Sequence, residues 1–115
     1  MDPKLSMIGI DEGQLWPKWL VPQLARTLDE RQNDKLRIVV AGLNMDYMRK
    51  PFHPMPAIMS MARKVKILSG ICMKCRGRKG EYTQRLKGGT EQRQPGNYGD
   101  YEVRCLPCHT IYTGE

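Results

Sequence analysis

The sequence predicts an α/β fold. A short parallel sheet of about three strands with two helices occupies residues 1–70, and a cysteine-pinned subdomain occupies residues 71–115. Three observations carry this. Within the first 41 residues, two apolar runs flank a stretch with helical spacing, the pattern of a strand–helix–strand unit. A second helical stretch follows, then a further apolar run. All four cysteines then fall in two Cys-x-x-Cys pairs, Cys72/Cys75 and Cys105/Cys108, separated by 29 residues (76–104).

Residues 5–10 read Leu-Ser-Met-Ile-Gly-Ile and run into Asp11-Glu12-Gly13-Gln14. A run apolar on both faces suits a buried parallel strand. Carboxylates at the carboxyl end of such a strand lie where α/β sheets take their ligands. A solvated acidic turn is the equal alternative. Leu20, Val21, Leu24, Ala25 and Leu28 then recur at helical spacing, with Arg26, Asp29, Glu30 and Arg31 off the stripe. Pro22 belongs in the first turn, where its missing N–H is no loss. Asn33-Asp34 ends the helix. Residues 36–41 are β-branched and read as a second buried strand. At this spacing the two strands are expected to be parallel with a right-handed crossover.

Residues 42–56 form a loop with Pro51, Pro54 and Pro56, and it carries Tyr47, Arg49, Lys50, Phe52 and His53. Pro56 opens a helix with Ile58, Met61, Ala62 and Val65 on one side. Its methionines read as core filler, since the thioether chain fits irregular gaps. Residues 65–68 are expected to begin a third strand that feeds the first cysteine pair. Between the pairs the chain is rich in Gly, Gln, Arg and Tyr. Residues 81–86 fit a hairpin arm, while Gly88-Gly89 and Pro95-Gly96-Asn97 mark turns.

A Cys-x-x-Cys turn holds two thiolates at about the spacing one metal needs, and two such turns complete a closed tetrahedral site. Zinc suits four sulfurs best. Cys72, Cys75, Cys105 and Cys108 are therefore the expected ligands of a structural Zn²⁺. His109, directly after Cys108, is the alternative fourth ligand. Two disulfides or free core thiols are the competing readings. Disulfides need an oxidising compartment, and no export signal is visible in residues 1–10.

A length of 115 residues favours one domain with an adequate but not generous core. The net charge of +7 points to anionic partners: nucleotide phosphates, nucleic acid or an acidic protein surface. Arg76, Arg78, Lys79, Arg85, Lys87 and Arg93 give the zinc end a basic surface that meets phosphates, or else a plain solvated face. No apolar run approaches the ~20 residues of a membrane span. The expected location is intracellular, in the cytoplasm or an organelle interior, and not secreted. Met1 reads as a natural start, with part of a longer protein as the alternative.

Three patches together resemble the thymidine kinase family of the zinc-containing, cellular and bacterial type. They are Ile8-Gly-Ile-Asp-Glu-Gly-Gln14, then Val40-Ala-Gly-Leu-Asn-Met-Asp-Tyr-Met-Arg-Lys-Pro-Phe52, then Ile71-Cys-Met-Lys-Cys75 with Tyr82-Thr-Gln-Arg-Leu86 and Tyr101-Glu-Val-Arg-Cys105. The resemblance covers essentially this whole chain and the carboxyl-terminal two-thirds of a typical member. It implies a partial P-loop-kinase-type sheet followed by a zinc-ribbon subdomain whose "lasso" loop grips a nucleobase. It implies that Asp11, closing a Walker B strand, helps hold the Mg²⁺ of ATP. Glu12 is then the general base that takes the proton from the 5′-hydroxyl of a deoxynucleoside. Tyr47 lies against the base, Leu43, Thr83 and Tyr101 line its pocket, and Gly96 brings backbone close to it. Zinc pins both ends of the loop and lowers its ordering cost.

The sequence also departs from the family. Leu15 replaces the usual aromatic, Asn44 replaces an Asp, and Thr90-Glu-Gln-Arg-Gln94 replaces the apolar run before the lasso glycines. No Gly-x-x-x-x-Gly-Lys-Ser/Thr phosphate loop occurs in these residues. Lys4, Arg49 and Lys50 are no substitute for its nest of backbone donors. A three-stranded parallel remnant has an open edge, so a further chain, a second copy or a larger assembly is expected to cover it. The first functional expectation is a non-catalytic, zinc-stabilised subunit or scaffold within such an assembly, with RNA among its candidate partners. The second is the nucleoside-side half of a split thymidine kinase, completed by a separate phosphate-loop chain that brings ATP and Mg²⁺. Either way, the chain is expected to be inactive alone.

Overall fold

The structure is a computed structural model, and it describes residues 6–31, 35–93 and 99–114. The chain divides into two compact units. One takes the described residues of 1–44 and 52–63, the other those of 45–51 and 64–115.

In the first unit, β1 (Met7–Ile10) pairs in parallel with β2 (Arg37–Val40), in the register Met7–Arg37 to Ile10–Val40. Helix α1 (Leu20–Glu30) makes the crossover, with Pro22 in its first turn as expected. The predicted helix end at Asn33-Asp34 lies outside the described residues. Helix α2 (Met55–Met61) starts beside Pro56 and stops at Ala62, whose backbone is extended. Leu20 and Leu24 of α1 meet Met55 and Ile58 of α2, and Ile10, Ile38 and Val40 pack against them. Each such side chain stabilises the fold by about 1.5–3 kcal/mol when fully buried. Met55 bears out the core-filler reading.

Two strand expectations need correcting. First, β1 and β2 are not apolar on two buried faces. Both alternate exposed and half-buried, leaving Met7 and Val39 in solvent. Second, the parallel sheet has two strands among the described residues. The third strand expected at 65–68 is not formed, and Val65, Ile67 and Leu68 are exposed. Apolar β-branched residues favour a strand only where a neighbour supplies the ladder and the packing. Val65 lies beyond the end of α2, so it does not extend that helix's apolar side.

In the second unit, β3 (Gly70–Ile71) and β4 (Lys79–Gly80) form a minimal antiparallel pair around the first cysteine turn. β5 (Tyr82–Arg85) pairs antiparallel with β6 (Tyr101–Arg104). The hairpin arm expected at 81–86 is therefore present, with β6, the next described strand in the chain, as its antiparallel partner. Gly80 carries no side chain because a Cβ there would sit 2.8 Å from Val103 Cγ2 and 3.2 Å from the Cys72 backbone nitrogen. Among the described residues, no helix is long and apolar enough to cross a membrane.

Candidate metal centre and carboxylate loop

The first cysteine turn closes through the Arg76 N–H, which donates to Cys72 O at 2.9 Å. Arg76 takes a left-handed conformation there, with φ 58°. The second turn is a 3-10 turn, Leu106–Cys108, with Pro107 inside it and the Cys108 N–H donating to Cys105 O. Strand β6 brings the turns together: the Met73 N–H donates to Val103 O at 2.9 Å, two residues before Cys105.

The four sulfurs lie within 4.8 Å of one another, and Cys75 Sγ is 3.8 Å from Cys105 Sγ. A tetrahedron with Zn–S bonds of ~2.3 Å has edges of about 3.8 Å. None of the four is in a disulfide, and Cys72 and Cys105 are buried. The donor set and spacing fit a closed structural zinc site.

The thiols are unequal. Burial pushes the Cys72 thiol up, but the backbone groups of Cys75, Cys105 and Lys74 outweigh it and lower its pKa to about 5. Cys75 is lowered chiefly by the backbone of Gly77. Cys108 is raised to about 12, first by its contact with the Cys105 thiol and then by burial. His109 is not part of the sulfur cluster. Its Nε2 lies 2.8 Å from Thr83 O. A carbonyl only accepts, so Nε2 carries the proton and the ring braces β5.

The expected carboxylates lie at the end of β1. Glu12 is exposed and left-handed, with φ 52° and ψ 48°, and its N–H donates to Asp11 Oδ1 at 2.9 Å. Asp11 O accepts from the Trp16 indole at 3.0 Å. Gly13 N–H crosses to Ala41 O at 2.8 Å, joining this loop to the end of β2. Gln14 is buried, 2% exposed, and donates through Nε2 to Glu12 Oε2 at 3.2 Å. Its Oε1 accepts from the Leu43 N–H at 3.0 Å. The Leu43 side chain itself is exposed.

Tyr47, Thr83 and Tyr101 belong to the second unit, and Gly96 lies outside the described residues. Tyr47 is buried, and its hydroxyl donates to Thr90 O. Thr83 faces Val103 across the β5–β6 pair and gives its carbonyl to His109. Tyr47 and Tyr101 meet at Arg85, whose guanidinium carbon lies 4.1 Å from the Tyr47 ring centroid and 5.3 Å from that of Tyr101. Arg85 is 2% exposed, so it does not belong to the basic surface expected at the zinc end. Its Nη1 donates to Gly89 O and Glu91 O, and its Nη2 to the Tyr101 hydroxyl.

Sequence reasoning missed four residues. Arg85 was counted by charge alone, and Gln14 was only a motif letter. Asp46 and Gln92 had no role, yet Gln92 Nε2 donates to buried Asp46 Oδ2 at 2.7 Å. Only the flanking Gly13 and Gly42, which allow close backbone approach, hinted that a side chain passes at Gln14.

A carboxylate loop on a parallel βαβ unit, followed by four clustered cysteines spaced to hold one metal ion, defines a small α/β protein. The thymidine kinase family profile matches residues 1–109. The chain belongs to the thymidine kinase family. The thymidine kinase of Bdellovibrio bacteriovorus is 40% identical over 105 residues, covering 91% of this chain and 49% of that protein. Those of Porphyromonas gingivalis and Metamycoplasma arthritidis are each 32% identical, over 95% and 94% of this chain and 51% and 53% of theirs. The chain thus spans about half the length of the curated relatives it matches.

Proposed function

We propose that the chain is the nucleoside-side portion of a thymidine kinase, working with a phosphate-binding loop that lies outside these 115 residues. The observation that carries this reading is the built carboxylate loop. Glu12 is exposed, yet its backbone and side chain are both held, the latter by Gln14. A general base needs this combination of access and fixed aim. In this reading Glu12 accepts the proton of the 5′-hydroxyl, and Asp11 is the residue that would meet Mg²⁺. Mg·ATP supplies the phosphoryl group and neutralises its charge when bound. Leu43, Tyr47, Thr83, Gly96 and Tyr101 belong to the base side. Zinc, held by Cys72, Cys75, Cys105 and Cys108, ties both ends of the segment between them.

The test mixes this chain with the part of the Bdellovibrio bacteriovorus thymidine kinase that it does not match. Thymidine-dependent phosphoryl transfer from ATP is expected in the mixture and in neither component alone. An absence of turnover in every mixture, with both components folded, sinks the reading.

A second reading is a non-catalytic, zinc-stabilised subunit of a larger assembly, either protein or ribonucleoprotein. It is favoured by Arg85, which already covers a face of the Tyr47 ring, and by the polar run Thr90–Gln94. On this reading calorimetry detects no thymidine binding, and a co-purifying chain or RNA is released by salt.

A further inference from the structure

We infer that Gln14 is a positioning residue that ties the Glu12 carboxylate to the backbone at Leu43. This deepens the kinase reading above and rests on it for its catalytic meaning. The Leu43 N–H is a donor only, so the atom facing it at 3.0 Å must be the carbonyl oxygen of the Gln14 amide. The amide is planar, so its NH₂ is then committed to the other side, where it meets Glu12 Oε2 at 3.2 Å. Gln14 is nearly sealed from solvent, so its amide is held on both sides by the protein. Gly42 makes room for this path. A Cβ on Gly42 would stand 2.7 Å from Gln14 Oε1 and 2.9 Å from Gly13 N.

The consequence is a coupling between two motifs 29 residues apart, counted from Gln14 to Leu43. A shift of the backbone at Leu43 moves the Gln14 carbonyl, and with it the donor that aims Glu12. Seating of a nucleoside beside Leu43 and orientation of the base are thereby one event.

Two variants separate the halves of this tie. Gln14→Met is similar in volume and removes both bonds. Gln14→Glu keeps an acceptor for Leu43 but sets a like charge against Glu12. In the 115-residue chain, the Leu43 amide is expected to exchange with solvent at least ~10-fold faster in Gln14→Met and at the parental rate in Gln14→Glu. The Gln14 side-chain NH₂ resonances are expected to shift in Glu12→Ala. In the completed kinase, both variants are expected to lower kcat by about 10–100-fold, with KM for thymidine changed less than about 3-fold. Unchanged Leu43 exchange in Gln14→Met, unmoved NH₂ resonances in Glu12→Ala, or a full kcat in Gln14→Glu would each overturn the inference. If no mixture turns over at all, the kinase reading falls, while exchange and resonances still decide the tie.

Discussion

Arg85 lies with its guanidinium carbon 4.1 Å above the Tyr47 ring and is fastened there by two carbonyls, Gly89 O and Glu91 O. The side chain is a cation by type but a buried strut by position. Its fork matches three acceptors at once, which the single nitrogen of lysine does not. Arg85→Met is expected to destabilise the chain by about 2–4 kcal/mol, through lost charged hydrogen bonds and the stacked ring. Arg85→Lys is expected to recover only part of that. Alanine at exposed Arg76, Arg78, Lys79 or Lys87 is expected to stay within about 0.5 kcal/mol of the parent. Urea unfolding midpoints check the contrast. Equal effects at Arg85 and at the exposed positions would contradict the buried placement.

The sulfur cluster predicts a pH dependence with two limbs in the metal-free chain. Cys72 falls from its ordinary 9.0 to about 5. Between those values the unfolded state binds more protons, so this contribution is full above 9 and is lost as pH drops through 5. Cys108 rises from 9.0 to about 12. Its contribution is full below 9 and is lost as pH climbs through 12. Metal-free stability is therefore expected to peak near pH 9 and decline on both sides. Zinc requires thiolates, so uptake at neutral pH must expel the Cys108 proton. Calorimetry in buffers of different ionisation heats reads that release. His109→Ala is expected to keep one zinc per chain by elemental analysis, whereas Cys108→Ser is expected to lose it.

These contrasts show what the sequence made legible and where it stopped. Cys72, Cys75, Cys105 and Cys108 were readable because metal geometry demands a spacing that few other causes produce. α1 and β2 were readable because their periodicity is local. The ladder partner of β5 was not, since β6 sits at the far end of the segment between the cysteine pairs and only packing within the second unit selects it. Residues 65–68 had the composition of a strand but no ladder partner among the described residues. Arg85 and Gln14 escaped because residue type sets a charge or an amide, while burial and aim come from the fold around it.

Gly42 and Gly13 offer a comparison of close approaches. A Cβ on Gly42 would meet Gly13 N at 2.9 Å as well as Gln14 Oε1 and Met55 Sδ, so backbone itself must yield. A Cβ on Gly13 would meet Met55 Sδ at 2.7 Å and Val40 Cγ1 at 2.9 Å, both side-chain atoms, and the methionine at least can turn aside. Gly42→Ala is expected to cost about 2–3 kcal/mol and Gly13→Ala about 1 kcal/mol less. Thermal unfolding of the two variants should rank them in that order, and the reverse ranking would show that Met55 cannot move.

Asp46 stitches its own loop and also holds a residue far along the chain. Its Oδ1 accepts the N–H groups of Met48 and Lys50 at 2.8 and 2.9 Å, and its Oδ2 accepts from Gln92. Gln92 lies in a polar stretch of the chain, where a hydrogen bond does the fastening. Asp46→Ala removes every acceptor and is expected to cost about 3 kcal/mol. Asp46→Asn can keep Oδ1 for the loop, but it turns an NH₂ toward the NH₂ of Gln92, and is expected to cost about 1 kcal/mol. Gln92→Glu in the Asp46→Asn background restores a donor facing an acceptor. The double variant is therefore expected to recover most of that loss, a coupling of about 1 kcal/mol in the mutant cycle. Additive losses would mean that the Asp46–Gln92 contact does not fasten the segment.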